Sequence, residues 1–303
     1  MSMVNAEISY LLGGIFAKGQ IIRSHDTTKV IMELPHKSLR INGKDPRLYV
    51  DASLLRIQQR VQPVVGGLLN IISGEHSHTI SFSKNSRDFL IDSINFYVGN
   101  FSSFKDFRIH HEIFDWEERF KIEFLRGFAD FTGHVRSSDK AFKRKTEPGG
   151  HRVYLEIPEN WFLVIDICNL LASIDVPVQQ IDWAHPNFRD PGIKKYYEGN
   201  KYFWKKEHQI KIYDEEFLKV GFNIQHKNEN LMRLAKENLD SDGGVYKHHK
   251  FYWENRVIRK TRPIHPMEYD ISLPEQIRGI HFSSWTELAK LLGYFKDAWL
   301  EYD

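Results

Sequence analysis

The stretch Leu11–Gly19 reads LLGGIFAKG, and further along Leu125–Gly133 reads LRGFADFTG. Aligning Gly19 with Gly133 also aligns Gly13 with Gly127. Both stretches are apolar at helical spacing, and both run into a short segment with strand character. A segment that recurs in this way marks a duplicated structural unit.

The repetition continues outward. KVIMELP from Lys29 matches RVYLEIP from Arg152, so Glu33 pairs with Glu156 and Pro35 with Pro158. Each alternates with period two: Val30, Met32 and Leu34 share a face, as do Val153, Leu155 and Ile157. Such alternation predicts a strand with one buried face. A second helix follows in each half, over roughly Ser53 to Ile72 and over Asn160 to Ile174. HTISFS from His78 then matches HQIKIY from His208, and a third helix begins at Ser86 and at Glu215. RLAKENL, ending near Leu239, is expected to add a further helix.

The sequence therefore predicts an α+β chain of two pseudo-symmetric αββαββα repeats. Their sheets are antiparallel, with one face under helices and a polar face left open. The expected units are a first repeat over 1–115, a second over 116–239, and a basic C-terminal extension over 240–303. In that extension a capping-box pattern at Ser284 opens a terminal helix that stops at Gly293.

The composition is that of an ordinary globular chain of 303 residues, 41% hydrophobic and 27% charged, which excludes disorder. No apolar run reaches about 18 residues, so no membrane-spanning helix is expected. MSMVNAEISYLLGG lacks the features of a signal peptide, and a cytoplasmic location is the expectation. The lone Cys168 argues against an internal disulfide and a thiolate zinc site. A net charge of +2 does not identify a nucleic-acid binder. The basic residues are nevertheless clustered, around Lys140–Lys145, Lys201–Lys211 and Lys247–Arg262, with aromatics interleaved in the last two clusters.

The two nonapeptides and the order of elements around them resemble the LAGLIDADG homing-endonuclease family in its single-chain, two-repeat form, over roughly residues 5 to 225. The resemblance implies that the two motif helices pack side by side through small residues. Gly13, Ala17 and Gly127 fit that role, whereas Phe131 is bulky and implies a looser or asymmetric interface. It also implies that the polar sheet faces enter the major groove of double-stranded DNA, which admits β-ribbons and shows a distinct pattern for each base pair. The residues expected on those faces are Lys29, Arg136, Arg152, Tyr154, Gln209 and Lys211. The loop carrying Lys143, Arg144 and Lys145 is expected to grip phosphates.

The family cleaves DNA with an acidic residue just before the last glycine of each motif, and the pair of acids holds divalent metal. Here those positions are Lys18 and Thr132. An ammonium cannot ligate magnesium, and a hydroxyl is a weak neutral ligand. Asp130 is nearby, but two residues turn a helix by about 200°, which points it away from that spot and leaves it as a surface charge or a bond near the helix end. The expectation is sequence-specific DNA binding without cofactor. The chain would be the recognition component of a restriction-type system, with a separate nuclease subunit cutting. The alternatives are an active endonuclease using magnesium through Asp130 or the tail, a transcription regulator, and an RNA maturase. His110–Glu112 and His248–His249 have no metal-binding spacing, and no phosphate-binding glycine loop occurs.

Overall fold

A computed structural model of the chain describes residues 4–39, 47–137, 150–178, 180–182, 207–240, 276–277 and 280–281. Helix α1 (Ala6–Lys18) starts where the Asn5 side chain accepts the Ile8 N–H at 2.8 Å. It runs without a break into β1 (Gly19–Arg23), then β2 (Thr27–Pro35), the short α2 (His36–Leu39) and α3 (Arg47–Val65). β3 (Asn70–Ser73), β4 (Ser77–Asn85), α4 (Phe89–Val98) and α5 (His111–Phe114) complete the first half. The second half has α6 (Glu118–Thr132), β5 (Gly133–Arg136), β6 (Arg152–Pro158) and α7 (Trp161–Ala172). β7 (Gln180–Asp182), β8 (Glu207–Tyr213), α8 (Asp214–Phe217) and α9 (Gln225–Asp240) follow, with a small pair β9 (Gln276–Ile277) and β10 (Ile280–His281).

The mixed α and β content and the antiparallel sheets agree with the sequence. The first sheet has the order β1-β2-β4-β3 and the second β5-β6-β8-β7, all pairs antiparallel. Long strands lie in the middle of each sheet because they carry the best alternation. Val30, Met32 and Leu34 are buried against Ile80 and Phe82, and Val153, Leu155 and Ile157 against Ile210 and Ile212. One apolar core runs through both halves.

The motif helices α1 and α6 touch backbone to backbone. A Cβ on Gly13 would overlap the Phe124 carbonyl, and one on Gly127 would overlap the Tyr10 carbonyl. The contact is reciprocal, since Tyr10 and Phe124 precede the two glycines by the same three positions. Ala17 is buried beside them. Phe131 does not loosen the packing. Its ring lies where a Cβ on Gly14 would be, 2.9 Å from that point, so a glycine on one helix accepts the bulk of the other. Gly19 and Gly133 have φ of −87° and −91°, so crowding rather than left-handed backbone selects glycine there. At Gly133 a Cβ would sit 2.6 Å from the Ala129 carbonyl as the chain folds from helix into strand.

Two elements differ from expectation. The second helix of the first half lies earlier than predicted, at Arg47–Val65, with Pro63 in its last turn and Gly66 in the left-handed region behind it (φ 58°). Proline weakens a helix end, and such a glycine terminates it. The helix predicted from Glu215 is only the turn Asp214–Phe217, whereas the helix expected over RLAKENL forms as α9 and starts earlier, at Gln225. The basic segments 140–145 and 247–262 and the predicted terminal helix lie outside the described residues, as do Lys201–Lys206. No helix among the described residues is long and apolar enough to cross a membrane.

Candidate nucleic-acid interface

The site begins with strand parity. In β2 the burial alternates, which turns Lys29, Ile31 and Glu33 away from the core. Register carries this face across the sheet in rows. Gln20, Ile31, Ser81 and Asn70 form one row, and Ile22, Lys29 and Ser83 form the next. Lys29 and Glu33 are exposed, as expected. Arg23, on the opposite parity, is committed to the fold: its guanidinium donates to Asn95, Ser102 and the carbonyls of Gly99 and Phe101 at 3.0–3.1 Å.

In the second sheet the same rule gathers Arg136, Arg152, Tyr154, Gln209 and Lys211 on one face, as the sequence predicts. His134, Tyr154 and Lys211 share a row, and Arg136 pairs with Arg152 in the next. The Tyr154 ring stacks on His134 at 5.8 Å and lies against two cations, Arg136 at 4.7 Å and Lys211 at 5.2 Å. Cations over an aromatic face attract its quadrupole, so the tyrosine holds both at this surface. Arg136 donates to Glu156 at 3.1 Å, and its side chain remains 48% exposed. Burial lowers the His134 pKa, against the opposing pull of Glu156.

This second face is not open as predicted. Gln209, expected to read adenine, is 2% exposed. Register puts it opposite Glu156, and its amide donates to that carboxylate at 3.0 Å, so the donor is satisfied inside the sheet. Arg152 is half-buried, over the Tyr213 ring at 5.3 Å. Arg136 is thus the exposed basic residue of the face, with Tyr154 and Lys211 half-buried. Lys143, Arg144 and Lys145 fall outside the described residues.

The ends of the motif helices meet the expected positions with different chemistry. Lys18 lies 5.2 Å from the Phe104 ring. Thr132 is buried, and its hydroxyl donates to the Phe128 carbonyl at 2.8 Å, so it turns back onto its own helix. An ammonium and an inward hydroxyl do not fit magnesium, which needs anionic oxygens at the site. Among the described residues no group of three or more His, Cys, Asp or Glu side chains is placed to hold a metal ion.

Of the two roles expected for Asp130, the structure shows the bond near the helix end and not the surface charge, since Asp130 is fully buried. Helical rotation does point it away from Thr132, but α9 covers that side. Tyr10 donates to its carboxylate at 2.6 Å and the Ile224 N–H at 3.3 Å. Burial raises its pKa, while the Lys227 ammonium and the Tyr10 hydroxyl pull it down. Lys227, also buried, donates to the carbonyls of Asp130 and Gly133 at 2.7 Å, capping the end of α6. Cations are favoured at that negative helix end. Desolvation lowers the Lys227 pKa to about 8. Lys227 did not stand out in sequence because it lies outside the recurring pattern, whereas Tyr10 aligns with Phe124 within that pattern but its hydroxyl bond depends on Asp130, far along the chain.

No family model matches the chain, and no curated protein matches it. Solved structures do show similarity. A variant of the homing endonuclease I-DmoI in complex with its target DNA is 14% identical, with 75% of this chain and 98% of that one covered and a TM-score of 0.40. Full-length DUF199/WhiA from Thermatoga maritima is 14% identical over 83% of this chain and 66% of its own, with a TM-score of 0.42. A single-residue variant of I-SmaMI is 10% identical over 82% and 97%, with a TM-score of 0.38. At such values these similarities assign no function to this chain.

Proposed function

We propose that this chain binds double-stranded DNA sequence-specifically through the outer faces of its two sheets. It acts as the recognition component of a restriction-type DNA-cleaving system, and a separate nuclease subunit supplies hydrolysis. One observation carries this most directly: two four-stranded sheets of like strand order each follow a motif helix, and those helices end in Lys18 and an inward-turned Thr132 instead of carboxylates. The outer faces add side chains suited to base edges and phosphates, Arg136 and Lys211 around Tyr154 on one and Gln20, Asn70 and Lys29 on the other. Cleavage by the chain itself through Asp130 is disfavoured, because a fully buried carboxylate bonded to Tyr10 cannot approach a phosphate.

Fluorescence anisotropy of labelled duplexes, titrated across salt, tests the proposal. A preferred sequence is bound more tightly than random duplex, and affinity falls steeply with salt as counterions are released. Binding without sequence preference, or no binding at any salt, refutes it.

A further inference from the structure

The two outer faces differ in chemistry. On the first sheet, Gln20 and Asn70 stand at the two ends of one cross-strand row, with Ile31 and Ser81 between. Ile22 and Ile72 flank that row on the edge strands, and both turn outward, 50% and 63% exposed. The core has no use for either. Lys29 is the cation that the described strands of this sheet turn outward, and Glu33 on the same strand offsets it. The second face instead carries Arg136 and Lys211 against the Tyr154 ring, with the half-buried Arg152 over the Tyr213 ring.

In the major groove an A·T pair shows adenine N7 and N6, which a side-chain amide meets with two hydrogen bonds, and a thymine methyl that suits an aliphatic side chain. A G·C pair shows guanine N7 and O6, which suit Arg or Lys. We infer that the two halves of the bound duplex differ in composition, with an A·T-rich half under the first sheet and a guanine-bearing half under the second. This rests on the DNA-binding proposal and adds the composition of the two half-sites.

Selection of bound duplexes from a randomised library, using the full chain, decides it. The recovered site has an A·T run at one end and guanines at the other. Gln20→Ala combined with Asn70→Ala lowers adenine discrimination about tenfold at the A·T end alone, and Arg136→Ala relaxes the guanine end alone. Deoxyuridine in place of thymine in the A·T half removes only methyl groups and weakens binding several-fold. That loss disappears in the Ile22→Ala, Ile72→Ala chain. Unchanged thermal melting of the Gln20, Asn70, Ile22 and Ile72 variants shows that the fold is kept, and a circular-dichroism spectrum like the parent's shows it for Arg136→Ala, which leaves the buried Glu156 without its arginine. A palindromic site, halves of like composition, or deoxyuridine without effect overturns this inference and leaves DNA recognition standing. Recovery of no duplex overturns both.

Discussion

Thr132 shows how little freedom the end of α6 leaves a side chain. Its hydroxyl is spent on the Phe128 carbonyl, and its surroundings exclude water. Restoring an acid there does not restore a metal site. Thr132→Asp together with Lys18→Asp destabilises the chain by about 2–4 kcal/mol, because a charge enters a dry position. Urea denaturation reads the loss, and isothermal titration shows no magnesium binding. Asp214 makes a second test at this scale. Burial raises its pKa from 3.8 to about 9, with Glu215 adding to the rise. The folded state therefore keeps a proton that the unfolded state releases. The resulting stability is complete below about pH 4 and is lost as pH rises toward 9. Asp214→Asn removes this dependence, so its melting temperature exceeds the parent's at pH 8 and matches it near pH 4. Single residues were only partly legible in sequence. Lys29, Arg136, Tyr154 and Lys211 follow from strand parity alone. Gln209 and Asp130 do not, because their burial depends on a cross-strand carboxylate and on α9, both distant in the chain.

Between elements, α1 and α6 touch backbone to backbone. Gly13→Ala or Gly127→Ala puts a methyl group into a backbone carbonyl of the other helix, and backbone cannot yield as a side chain does. Each change is expected to cost about 3 kcal/mol or more, measured by denaturant unfolding. A second joint holds the segment between the halves to α7. Arg108 grips Asp166 through two bonds, at 2.5 and 2.7 Å, and the Ile109 N–H adds a third at 3.1 Å. Asn160 caps α7 and also donates to the carbonyls of Phe104 and Phe107 at 2.8 Å. Asp166→Ala leaves Arg108 half-buried without its partner and destabilises by about 2–3 kcal/mol, again read by denaturant. The motif glycines announced the first joint because close helix packing demands small residues at fixed spacing. Nothing local in sequence announces the second, since an arginine and an aspartate far apart have no pattern to share.

For the whole molecule, the strand orders of the two sheets agree, as the recurring sequence leads one to expect, but their surfaces do not. The first face is near neutral and exposed toward its edges, with Ser81 buried at its centre; the second is half-buried and basic. Composition could not reveal this division, because a net charge of +2 averages over both halves. Binding should therefore depend on salt mainly through the second half. Arg136→Ala with Lys211→Ala is expected to lower the salt slope by about two, whereas Lys29→Ala lowers it by about one at most, as anisotropy at several salt concentrations would show. Hydroxyl-radical footprinting on a selected duplex, with magnesium present, tests the central proposition most directly. Protection over both half-sites, with intact strands in a parallel sample that holds magnesium but no radical, is the predicted result. Magnesium-dependent breaks at the centre of the site, or protection over neither half, would contradict it.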